Sequence, residues 1–169
     1  MLKKIMPILI VGIIIAIIVG VFISMASVQN MVVIKNGNIK QLPIKMQINK
    51  YQDSDCGMVI DDLAFASQVI TKDGKTLFFH DHGGFVHWLE DKSFKDNVVI
   101  WVMSLDTKKW IDAKTAYYSL VDETPMGYGF GAYEKNSDNF VDYETMQLRM
   151  LRGETLNNPR IRQQLLGSN

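Results

Sequence analysis

One cysteine, three histidines and no net charge set the first limits on this 169-residue chain. With Cys56 alone, a disulfide within one chain is excluded. Basic and acidic residues balance at 18 each, so the electrostatic footprint of a nucleic-acid binder is missing. The only adjacent basic pairs, Lys3-Lys4 and Lys108-Lys109, do not extend into a basic run. No G-x-S-x-G, phosphate-binding loop or H-E-x-x-H occurs, which removes the common signatures of esterases, nucleotide enzymes and zinc proteases. From Ile5 to Val28 there is no charged residue.

That last absence is also the first positive feature. A helix needs about 20 apolar residues to cross a bilayer, and "IMPILIVGIIIAIIVGVFIS" supplies them. Lys3, Lys4 and the amino terminus precede the run. By the positive-inside tendency they stay in the cytoplasm and the rest of the chain is exported. The alternative is a signal peptide cleaved near "SMAS", Ser24–Ser27. The run is longer than the roughly 7–15 residues of a usual signal core, which favours an uncleaved anchor. No cysteine ends the run, so a lipid anchor is not expected. Either way Cys56 is placed outside the cytoplasmic membrane, where thiols are often oxidised. A lone thiol there points to reactivity or metal binding.

The exported part reads as α+β. "VVIKNGNIK" predicts a small hairpin about Asn36-Gly37, and "IKMQINKY", 44–51, alternates as a half-buried strand does. "LAFASQVI" and "KTLFF" flank "TKDG", a strong hairpin signal. "GGFVHWLEDKSF" predicts a short helix with Phe85, Trp88 and Leu89 on one face. "NVVIWVMSL" reads as a buried interior strand, "WIDAKTAYYSLV" as another and "YGFGAYEK" as the next. From Asn139 the spacing of Phe140, Tyr143, Met146, Met150 and Leu151 predicts a helix with Ser137 as N-cap and Gly153 as its stop. "NPRIRQQLLGSN" reads as a last short helix or a frayed tail. The order is strand, strand, helix, strand and then strand, strand, helix, so the second half loosely repeats the first.

The residues with chemistry to offer are few. Cys56 and Met58 lie two apart in a polar loop, "DSDCGMVIDD". Thiolate and thioether together select Cu(I) over hard cations. A loop this short needs further ligands, and Met126 is the best candidate, held between Pro125 and the glycines at 127, 129 and 131. Met6, Met25, Met103, Met146 and Met150 read as anchor or core. His80 and His82 follow a strand and precede a glycine pair. In an extended segment they share a face, and imidazole binds copper well. His87, beside Trp88, reads as a surface or packing residue. A Cys–His nucleophile is the enzymatic alternative, with Cys56 activated by His80 or His82 and Asp81 orienting the ring. The carboxylates of "DSD" and "IDD" read as solvated loop charges.

With these pieces assembled, the chain resembles the NosL family, copper-binding accessory factors of bacterial nitrous oxide reductase. The resemblance is carried by "CGM" at 56–58, "TLFFHDHGG", "WIDAKTAYY" at 110–118 and "TPMGYGFGAYE" at 124–134, and covers roughly Asp53 to Phe140. It implies two related ββαβ units, similar to part of organomercurial lyase, and an exported protein that binds Cu(I) and supplies it to the reductase. It also implies that Cys56 and Met126 are copper ligands. The chain departs from the family in having a transmembrane segment where relatives commonly carry a lipid, and "HDHGG" where relatives often have an Asp-rich turn. The expectation is therefore a cytoplasmic tail over 1–4, an anchor over 5–28, a connecting segment over 29–52, a copper-binding α+β domain over 53–152, and a tail or short helix over 153–169. The expected function is a membrane-anchored metallochaperone, not an enzyme. The rivals are a thiol-dependent lyase, disfavoured by the single cysteine, and a membrane scaffold for the reductase.

Overall fold

The computed structural model describes residues 2–25 and 31–167, and in the first stretch the side chains of Met6 and residues 10–22. The chain divides into two units, Met1–Met31 and Val32–Asn169. In the first, helix α1 spans Leu2–Met25. Its described side chains from Ile10 to Phe22 are apolar or glycine and lie exposed. Among the described residues, no helix is long and apolar enough to cross a membrane. The expected anchor reaches Val28, and the cleavage segment reaches Ser27, so both end outside the described residues.

The second unit is built on an antiparallel hairpin. β2 (Ser67–Thr71) and β3 (Thr76–Phe79) pair with Ser67 opposite Phe79. The turn between them closes through Gly74, whose φ of 80° a side chain would resist. β4 (Val98–Met103) pairs with the other side of β2, and β5 (Trp110–Asp112) with β4. β1 (Ile34–Lys35) lies outside β3, giving the order β1-β3-β2-β4-β5. β6 (Tyr117–Ser119) and β7 (Gly131–Tyr133) form a separate two-stranded sheet. Three helices complete the unit: α2 (His82–Leu89), α3 (Tyr143–Leu151) and α4 (Pro159–Leu166).

Strand periodicity sorts the side chains to two faces. Val69, Leu77, Phe79, Ile100 and Val102 join Phe85, Leu89, Met146 and Met150 of α2 and α3 in the main core. Phe78 points the other way, into a second cluster with Met46, Tyr51 and Ile60. Each such fully buried side chain contributes about 1.5–3 kcal/mol of transfer free energy. The sheet is thus covered on both faces, by helices on one and by the 32–66 segment on the other. His80 follows Phe78 in this alternation.

Several local expectations are corrected. No hairpin forms about Asn36-Gly37; β1 pairs with β3 instead. Residues 44–51 form no regular strand: the Gln68 amide takes both backbone groups of Ile44, at 2.8 Å each, and Asn49 turns the chain at φ 60°. "WIDAKTAYYSLV" is two strands, because Asp112 accepts from Lys114 N–H and its carbonyl from those of Thr115 and Ala116, turning the chain between sheets. Asp142, not Ser137, caps α3, accepting from Thr145 N–H at 2.8 Å. The α+β class stands. The first half has the order β2-β3-α2-β4; in the second, β6-β7-α3 is followed by α4 and by no strand among the described residues.

Candidate metal centre

The loop carrying Cys56 is shaped by one carboxylate. Asp53 is 3% exposed, which corrects its reading as a solvated loop charge. Its Oδ1 accepts from the backbone N–H of Asp55 at 2.8 Å and of Cys56 at 3.1 Å. Its Oδ2 accepts from the N–H of His80 at 2.8 Å and faces His80 Nδ1 at 2.5 Å. Ser54 stitches the loop to β3 through Phe78, donating its N–H to the Phe78 carbonyl and accepting the Phe78 N–H on Oγ. The loop is therefore docked on the end of β3, with Cys56 exposed.

Cys56 Sγ lies 3.9 Å from His80 Nδ1. One ligand atom each from Asp53, Cys56 and His80 fall within 4.8 Å of one another. His80 Nε2 is buried without a partner among the described residues, so Nδ1 is the nitrogen turned to the cluster. The electrostatics are those of a closed pair beside an open thiol. Burial alone would raise Asp53, but the hydrogen bonds from His80, Asp55 and Cys56 outweigh it and hold the carboxyl below its usual range. Burial alone would lower His80, but the Asp53 hydrogen bond and charge raise it. The Cys56 thiol is exposed. Partial cover by the loop, and the charges of Asp53 and Asp55, push it up, opposed only by the Met58 N–H. It is not the activated thiolate that a nucleophile needs.

The remaining candidates are distributed unevenly. Met58 is exposed, 46%, beside Cys56 in the same loop. His82 is not in the cluster. It is the first residue of α2, fully buried, with Nδ1 2.7 Å from Ser67 Oγ and its ring edge-on to Phe65 and Tyr118. The shared face expected of the two histidines is lost because the chain leaves β3 at Asp81 and starts a helix. Burial pushes His82 down to about 3. His87 is exposed, as expected. Met126 is half-buried, and its N–H donates to Asp81 Oδ2 at 2.9 Å. The turn carrying it thus abuts the residue next to His80. Asp53 was not among the expected site residues; its only sequence signal was position, three residues before Cys56. Asp81, expected to orient a histidine ring in the enzymatic alternative, accepts from Gly83 N–H and Met126 N–H instead, and Asp53 holds the His80 ring.

Chemically, the cluster offers a sulfur, a nitrogen and an oxygen on an accessible loop. A metal ion binding there displaces the thiol proton and the proton that Nδ1 shares with Asp53. Comparison with protein-family models and with curated proteins finds no match to this chain.

Proposed function

We propose that this protein is a membrane-anchored, exported Cu(I)-binding metallochaperone that supplies copper to a partner, with nitrous oxide reductase the partner its resemblance implies. The observation that supports this reading is the exposed Cys56 thiol within 3.9 Å of an oriented imidazole. A donor must hold Cu(I) against solvent yet yield it. A few ligands on an accessible loop suit that better than a closed four-ligand cage, because an incoming ligand can enter. Cys56 and His80 lie in the first half, with the Met126 turn tied beside them; Met58 is within reach in sequence. In this reading Asp53 holds His80 Nδ1 in the metal-free site and yields that nitrogen to the ion, since Nδ1 faces both the carboxylate and the thiol. The anchor over 5–28 and the exported location rest on the apolar run and on Lys3 and Lys4, and the two related units on the repeated strand–strand–helix order. The raised thiol speaks against the thiol-enzyme alternative.

A second reading follows from the carboxylate. Thiol, imidazole and carboxylate together also suit Zn²⁺. Competition settles the choice: the full chain is loaded with Cu(I) or Zn²⁺ against chelators of known affinity, with Cys56→Ser beside it. Tighter Cu(I) binding that Cys56→Ser largely abolishes is the expected result. Binding unchanged in Cys56→Ser, or stronger for Zn²⁺, would sink the copper reading.

A further inference from the structure

We propose that Asp81 is the positioning residue that holds the Met126 turn against the Cys56–His80 cluster, so that one Cu(I) ion is offered sulfur from both halves of the domain. The inference rests on the copper reading above.

Asp81 is fully buried, in extended backbone at φ −140° and ψ 137°, and caps α2. Capping uses one oxygen: Oδ1 accepts from Gly83 N–H at 3.0 Å. Serine or asparagine would serve as well for that task. The second oxygen is what a cap does not need. Oδ2 accepts from Met126 N–H at 2.9 Å, across 45 residues of sequence. Within the turn, Thr124 Oγ1 accepts from Tyr128 N–H at 3.0 Å and Gly129 N–H at 3.3 Å. A single buried carboxylate therefore ties a braced 124–129 turn to the start of α2.

Close packing locks the arrangement. The Tyr128 ring lies so near the Gly83 backbone that a Cβ there would overlap it. From below, Asn157 Nδ2 donates to the Met126 carbonyl at 2.8 Å. Asp81 is also the next residue after His80, so the tie acts at the cluster's edge. Asparagine in its place turns an N–H₂ group toward a backbone N–H and cannot serve both donors.

The test is a double-mutant cycle on Cu(I) affinity in the full chain, read by competition with a chromophoric Cu(I) chelator, with copper K-edge absorption to count sulfur ligands. Asp81→Asn and Met126→Leu should each weaken binding at least about tenfold. The double variant should bind no more weakly than Met126→Leu alone, because Asp81 acts only through that turn. Either single change should reduce the count from two sulfurs to one. Asp81→Ser, which keeps the cap of α2, guards against a folding artefact and should reproduce the loss. Losses that multiply in the double variant, two sulfurs retained in Asp81→Asn, or an unaffected Met126→Leu each overturn this inference and leave the copper reading standing. Cu(I) binding indifferent to Cys56→Ser overturns both.

Discussion

His80 and His82 are two residues apart and both buried, yet opposite charge states are favoured. His80 continues the alternation of β3 onto the face covered by the 32–66 segment, where Asp53 receives its ring at 2.5 Å. His82 opens α2 on the other face, where it finds one serine hydroxyl and two aromatic edges. Burial acts in the same direction on both rings. A carboxylate within hydrogen-bond reach reverses its effect in one and not the other. Burial by itself therefore says little about a histidine. The group that shares its burial decides the proton, and with it whether the ring is a packing element or part of a site.

The harshest way to break this comparison is Asp53→Ala. It leaves the His80 ring and three backbone N–H groups without their acceptor. Removing one partner of a buried pair costs about 3–5 kcal/mol. Urea unfolding of the full chain should show a loss of that order; a loss under about 1 kcal/mol would mean the pair is not formed.

The second test separates the two rings by pH. Unfolded, each histidine titrates near 6.5. His82 falls to about 3 in the fold, so below pH 6.5 the unfolded state binds the extra proton. Stability then drops on acidification, by at most about 1.4 kcal/mol per pH unit from this group. His80 is raised in the fold, so its contribution is complete below pH 6.5 and is lost as pH rises through its folded value. Asp53, held low, contributes above the ordinary carboxyl range and loses that contribution as pH falls through its folded value. His82→Gln should flatten the acid limb of the stability profile, and His80→Gln the limb above pH 6.5. An acid limb unchanged by His82→Gln would refute the neutral buried ring.

Ser67→Ala sharpens the comparison from the other side. Ser67 is fully buried, and its loss leaves His82 Nδ1 unpartnered. The expected cost is about 1–3 kcal/mol, read as a lower urea midpoint at unchanged slope. A cost near zero would mean that the 2.7 Å contact contributes little.

The smallest expected effect is Cys56→Ser. The side chain is exposed, so stability should move by less than about 0.5 kcal/mol while metal binding is lost. A large drop in melting temperature in the metal-free protein would make Cys56 a structural residue.

Much of the fold was legible where local chemistry and tertiary context agree. The "TKDG" turn, the 82–89 helix, the buried run at 98–103 and the stop at Gly153 each follow from residues within a few positions. Misreadings arose where a side chain from afar replaced a local partner. Gln68 occupies the backbone of Ile44, so alternation at 44–51 yields no strand. Asp112 folds its own following backbone, so one apolar run becomes two strands in two sheets. In the site, Cys56 and its loop were legible by composition. Asp53 was not: a carboxylate in a polar loop reads as solvated until the loop is docked and the carboxylate buried.

By itself, the sequence determined which residue types were available: one thiol, three imidazoles, a Met-bearing glycine turn and an uncharged apolar run. It also determined the turns and caps, which depend on φ freedom and on donors a few residues away. The tertiary structure alone decided which of these meet. The pairing of Asp53 with His80 spans 27 residues and that of Asp81 with Met126 spans 45. Periodicity carries no information over such separations, because these contacts exist only once the two faces of the sheet have been covered and water has been removed from between them.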